Sequence, residues 1–178
     1  SGRTLKTTRS GCGSCHGSTA NTGVTVTING PNAVTAGQTY AFTVAVTGSN
    51  GANGGVDIAA FSGSLAPVSS FLRATGGELV HSQRVAVPST YQFNYTAPAA
   101  AGSDTLYATG KDNVMSSWNW APNFRITVNP APPPVPVLLS PPNGSLDQPT
   151  VVTLSWNASA GATSYRVQVA TDSLFTAA

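Results

Sequence analysis

Charge is what this chain has least of. Only 8% of its residues are Asp, Glu, Lys or Arg, against roughly a quarter in an average soluble protein. The formal net charge of +2 is too small for an electrostatic grip on a phosphate backbone, which excludes nucleic acid as a partner. No apolar run is long enough for a membrane-spanning helix or a signal-peptide core, and because the chain begins with Ser1 it is read as a mature, processed product. Amphipathic helical periodicity is missing throughout, so bundle and α/β folds are excluded. Paired carboxylates, a nucleophile elbow and a phosphate loop are also missing, which leaves ordinary hydrolase or transferase chemistry without a foothold. Asp57, Asp104 and Asp112 are too scattered to argue for calcium. Finally, there are two cysteines in 178 residues, separated by two residues, and these cannot form the disulfide framework that staples small secreted domains.

Gly, Ser, Thr, Asn and Ala fill the place of charge, a composition common in secreted and cell-surface β-proteins. From Val24 the pattern has period two: Val24, Val26 and Ile28 alternate with threonines, and Tyr40, Phe42, Val44 and Val46 with smaller residues. Ser49 to Gly55 (SNGANGG) is a loop by composition. Further strand-like runs are Val56 to Phe61, Glu78 to His81, Arg84 to Val87, Tyr91 to Tyr95, Thr105 to Thr109 and Phe124 to Val128. About seven short strands over roughly 105 residues predict an all-β fold, an immunoglobulin-like antiparallel β-sandwich. Four prolines, Pro130, Pro132, Pro133 and Pro134, then remove backbone donors and predict a stiff, extended spacer. The expected organisation is an irregular arm at 1–22, the sandwich at 23–129, a Pro-rich linker at 130–136 and a further β segment at 137–178. That last segment resembles the first half of a fibronectin type III domain in its Pro-rich entry, in Trp156 ending VTLSW and in the alternating run Tyr165 to Ala170. The resemblance implies that the polypeptide continues or that another chain completes the sheet.

The arm carries the chemistry. GCGSCHG, residues 11–17, holds Cys12, Cys15 and His16, preceded by Arg3, Lys6 and Arg9. A structural zinc site wants four N or S ligands, and the whole supply is Cys12, Cys15, His16 and His81, two of them adjacent in sequence. An iron-sulfur cluster wants four thiolates, and a thioredoxin-like dithiol wants a βαβ setting; neither is present. C-x-x-C-H is the attachment motif of c-type haem: two thioether bonds fix the porphyrin edge to Cys12 and Cys15, and the next residue, His16, can place its imidazole on the iron. The competing reading is a surface disulfide or free dithiol. The arm has no aromatic residue, so cover for a porphyrin must come from elsewhere. Phe61, Leu65, Phe71, Leu72, Trp118 and Trp120 are candidates, each competing with a role in the sandwich core. Arg3, Lys6, Arg9, Arg73 and Arg84 can pair with haem propionates or simply be solvated. For a second axial ligand the chain offers one histidine, His81, and one methionine, Met115; an open sixth position is the third possibility.

Residues 11–128 resemble a bacterial cell-surface group in which a C-x-x-C-H arm precedes a Reeler-like sandwich, the choice-of-anchor V domain. The likeness rests on GCGSCHG, TGGELVHS, and YQFNYTAPAAAG leading into DTLYATGKDN, in that order. It implies that His81, in the pattern G-E-L-x-H, is the sixth ligand, with Met115 as the alternative. A saturated iron suits electron transfer. The expected protein is an extracellular or periplasmic mono-haem c-type cytochrome, not an enzyme, carrying one haem c and exchanging electrons with a redox partner or a neighbouring haem subunit. An N-terminal arm and open sheet edges make a homopolymer conceivable. Two readings compete: a structural or adhesive surface spacer with a Cys12–Cys15 disulfide, and a small peroxidase in which His81 is the distal base. The second lacks an identifiable distal arginine in the sequence.

Overall fold

The computed structural model describes Thr4, residues 19–172, Leu174 and Phe175. Cys12, Cys15 and His16, with Arg3, Lys6 and Arg9, lie outside the described residues. The chain divides into two compact units, Ser1–Ala131 and Pro132–Ala178, with the division inside the Pro-rich stretch.

The first unit is an all-β sandwich of ten strands: β1 (Thr25–Asn29), β2 (Ala33–Thr35), β3 (Thr39–Ala60), β4 (Ser64–Pro67), β5 (Leu72–Thr75), β6 (Glu78–His81), β7 (Val85–Thr96), β8 (Gly102–Lys111), β9 (Trp118–Trp120) and β10 (Phe124–Asn129). One sheet has β3 and β7 at its centre, flanked by β1 and β4. The other runs β2-β10-β8-β3-β6-β5, with β9 also on β8. Every pairing is antiparallel except β2 with β10, where the short β2 runs parallel. Period-two alternation turns Val26, Ile28, Phe42, Val44, Tyr91 and Phe93 of the first sheet, and Ile58, Leu79, Leu106 and Ile126 of the second, into a common core. The ring of Phe42 lies 5.8 Å from Phe93, 5.5 Å from Tyr95 and 5.8 Å from Phe124, the offset and edge geometries that aromatic quadrupoles favour.

Three expectations need correction. SNGANGG is not a loop: β3 runs straight through it, 22 residues long, and passes from one sheet to the other. Its ladder with β7 shifts register between Val46 and Gly51 and again between Gly51 and Gly54, and such bulges bend a strand. At Gly51, with φ near +149°, a Cβ would stand 2.1 Å from Cγ of Asn113, so glycine here permits a close approach rather than a turn. The strand count is also higher than expected, because β2, β4, β5 and β9 are three or four residues long and show almost no alternation. Among the described residues of the second unit only β11 (Leu138–Ser140) and β12 (Ser155–Trp156) pair. Tyr165 to Ala170 does not enter a ladder. Instead the Tyr165 hydroxyl accepts the Ser159 N–H at 2.6 Å and the ring lies 5.6 Å from Trp156. A short strand gains little without a neighbour to supply its backbone partners.

Candidate functional site

His81 closes β6. Two glycines with positive φ, Gly76 and Gly77, turn the chain, and Glu78–His81 then pairs with β5 on one side and β3 on the other. The β3–β6 ladder covers only Asp57↔Val80 and Ile58↔Leu79. At the next rung the imidazole itself meets the backbone of Val56: Nδ1 lies 3.1 Å from the Val56 amide nitrogen and 3.0 Å from its carbonyl oxygen. The ring rests on Gly55, where a Cβ would stand 2.7 Å from Cε1. With its proton on Nδ1 the ring donates to the Val56 carbonyl and carries its lone pair on Nε2; in the other tautomer Nδ1 accepts the Val56 N–H. Nε2 has no hydrogen-bond partner among the described residues.

The ring lines a cleft of about 220 Å³ at the corner where β3 changes sheets, together with Asn53, Gly54, Arg84, Lys111, Asn113 and Met115. The structure thus brings the two candidate sixth ligands into one cleft, although Met115 sits on the turn after β8 and is 78% exposed. It also supplies the arginine that sequence alone did not pair with His81: Arg84 lines the same wall and donates from Nη1 to Oδ1 of Asn53 at 3.1 Å. Lys111 was missed entirely. It is only 8% exposed and its ammonium donates to the carbonyls of Asn53 (2.7 Å) and Asp112 (2.6 Å). Nothing in a period-two pattern distinguishes a buried lysine at a strand end from a solvated one. Among the described residues no acidic side chain lines the cleft; the nearby Asp112 carboxylate accepts the Ser49 and Val114 N–H groups.

The outer face of the second sheet is unusual. Val56, Ile58, Leu79, Leu106 and Ala108 belong to the core, so Asp57, Ala59, Glu78, Val80, Thr109 and Lys111 face the other way, yet all six are buried. Trp118 and Trp120 stand opposite Lys111 and Thr109 on that face, their rings 4.6 Å apart and near perpendicular. Both described ends of the N-terminal arm reach this sheet: Thr4, fully buried, donates from Oγ1 to Glu78, and the Asn21 N–H donates to the Trp118 carbonyl at 2.7 Å. Thr109 Oγ1 and Trp120 Nε1 are buried here without a hydrogen-bond partner among the described residues. Of the side chains expected to cover a porphyrin, only Trp118 and Trp120 lie on this face. Leu72 is in the core, Leu65 and Phe71 pack against it, and Phe61 is 63% exposed. Arg73 sits on β5 opposite Val80 and does not line the cleft. Among the described residues no three His, Cys, Asp or Glu side chains gather as a metal site.

The fold and site together define a two-sheet all-β sandwich that carries a polar corner cleft. No protein-family model matches the chain, and no curated protein matches it. Among solved structures the chain is similar to the Reelin-N domain of F-spondin, at 13% identity and a TM-score of 0.48 over 62% of this chain and 88% of that one. It is also similar to the human F-spondin reeler domain (14% identity, TM-score 0.47, 62% and 91%). A third is the PKD domain of an M14-like peptidase from a Thermoplasmatales archaeon (21%, TM-score 0.39, 58% and 91%). Function is therefore argued from the residues.

Proposed function

We propose that the chain is an extracellular or periplasmic mono-haem c-type cytochrome domain. In this reading Cys12 and Cys15 hold the haem by thioether bonds, His16 is one axial ligand and His81 the other. The observation that supports it best is the seat of His81. Haem-ligating and metal-ligating histidines characteristically donate one ring nitrogen to a backbone carbonyl, which fixes the ring and leaves the other nitrogen basic. The Val56 carbonyl stands 3.0 Å from Nδ1, and Nε2 is without a partner among the described residues. Gly55 and Val56 orient the ring, and Thr4 and Asn21, on either side of the C-x-x-C-H motif in sequence, both bond to the sheet that bears Trp118 and Trp120. Thr109 Oγ1 and Trp120 Nε1, buried and unpartnered, fit a bound group that brings an acceptor to this face. Haem supplies a one-electron couple when bound, and two histidine ligands leave the iron no open position for oxygen chemistry. The domain is accordingly a carrier rather than an enzyme, and its partners are a redox protein or the haem of a neighbouring subunit.

The test is optical. Purified protein should show a Soret band that survives acid-acetone extraction and an intact mass raised by one haem. Colourless protein with Cys12 joined only to Cys15 would leave the structural spacer reading in its place. His81→Ala should convert a low-spin spectrum to a high-spin one. An unchanged spectrum would assign the sixth position to another residue, with Met115→Ala as the next variant to examine.

A further inference from the structure

We infer that the corner cleft beside His81 is a carboxylate seat, and that Arg84 is the residue that receives a propionate arm of the haem. The inference rests on the haem reading above and goes beyond it, since it assigns a role to a side chain that ligates nothing. Size is the first argument. At about 220 Å³ the cleft is too small for a macrocycle but roomy for a carboxylate-bearing arm. Charge is the second. Arg84 presents its guanidinium to the cleft, the two neutral amides of Asn53 and Asn113 complete its polar wall, and among the described residues no carboxylate lines it. Arg84 makes one hydrogen bond from Nη1 to Asn53 and no ion pair among the described residues, so its guanidinium has further donors for a planar, two-pronged acceptor. Preorganisation is the third. Asn53 accepts from Arg84 through Oδ1 and donates through Nδ2 to Asn113 at 2.9 Å, while its backbone carbonyl holds Lys111. The cationic groups are therefore positioned before a ligand arrives. Location is the fourth, because the residue proposed to hold the iron lines the same cleft.

A cation on a propionate offsets negative charge near the iron and so favours the reduced state. The experiment uses the holoprotein as purified and compares wild type with Arg84→Gln, Arg84→Lys and, as a control outside the cleft, Arg73→Gln. Resonance Raman spectroscopy reads the propionate bending band and the spin-state marker bands, and a redox titration reads the midpoint potential. Arg84 and Arg73 are both exposed, so the variants should fold, which circular dichroism checks. R84Q should shift the propionate band and lower the reduced-to-oxidised ratio at fixed ambient potential roughly two- to tenfold, while the iron stays low-spin. R84K should keep most of the ratio and still shift the band, because it retains charge but not the planar fork; R73Q should change neither. A low-spin R84Q holoprotein with an unmoved propionate band overturns the proposal, whether or not its potential changes, and leaves the haem reading standing. A wild type without a Soret band removes the haem reading itself.

Discussion

Asp104 accepts four hydrogen bonds in the interior: from the Ser62 N–H (3.0 Å) and Thr105 N–H (2.7 Å) at Oδ1, and from the Gly63 N–H (2.7 Å) and the Tyr95 hydroxyl (2.8 Å) at Oδ2. Burial, and then the bond and charge of Asp104, push the Tyr95 hydroxyl above the usual tyrosine range. A raised folded-state pKa means that the folded protein holds this proton more tightly than the unfolded chain does. The corresponding stability is complete below the unfolded value, about 10, and is lost as pH rises past it. Burial raises Tyr91 as well, so it contributes to the same fall. Urea midpoints of the wild type should therefore drop above roughly pH 10. Tyr95→Phe should cost about 1–2 kcal/mol at neutral pH and flatten that drop; an equally steep drop in the variant would mean Tyr95 does not carry the effect. The sequence shows Asp104 only as one of three scattered carboxylates, because Ser62, Gly63 and Tyr95 reach it only through the fold.

At the scale of elements, β3 decides where the candidate site sits. Alternation made both of its halves legible: the Tyr40–Val46 run faces the core in one sheet, and the Val56–Ala60 run lies in the other. The joint between them was not legible, since a glycine-rich stretch that bends a strand has the same composition as one that turns a loop. Two substitutions separate its roles. Gly51→Ala forces a Cβ against Asn113 at positive φ, and should cost about 1–3 kcal/mol of unfolding free energy without touching His81. Gly55→Ala pushes on the imidazole instead, and the holoprotein should show a mixture of low- and high-spin iron. If Gly55→Ala leaves a purely low-spin spectrum while Gly51→Ala behaves as expected, the ring is not seated by Gly55 in the way that orients Nε2. The C-x-x-C-H motif and β6 with its terminal His81 were readable from sequence. The capping of Val56 by the imidazole was not, because it depends on the β3–β6 ladder stopping at Asp57↔Val80, one rung short of Val56 and His81.

The whole molecule combines two units of very different quality. The first has a continuous interior in which Phe42, Val44, Phe93, Leu106 and Ile126 are buried between two sheets. The second pairs only two short strands among its described residues and leaves Val151 85% and Val169 78% exposed. Apolar burial is the main favourable term in folding, so the cooperative transition must belong to the first unit. A chain ending at Ala131 should then unfold in urea with a free energy within about 0.5 kcal/mol of the full chain, because the core of the first unit is built from its own residues, Val24 to Val128. Hydrogen exchange on the full chain supplies the complementary measurement: amides of β3, β7 and β8 should exchange only through global opening, and those of 138–169 within the first time points. A loss of more than about 1.5 kcal/mol on truncation would mean that the second unit supports the first, and the sandwich could no longer be treated as the unit that carries the site.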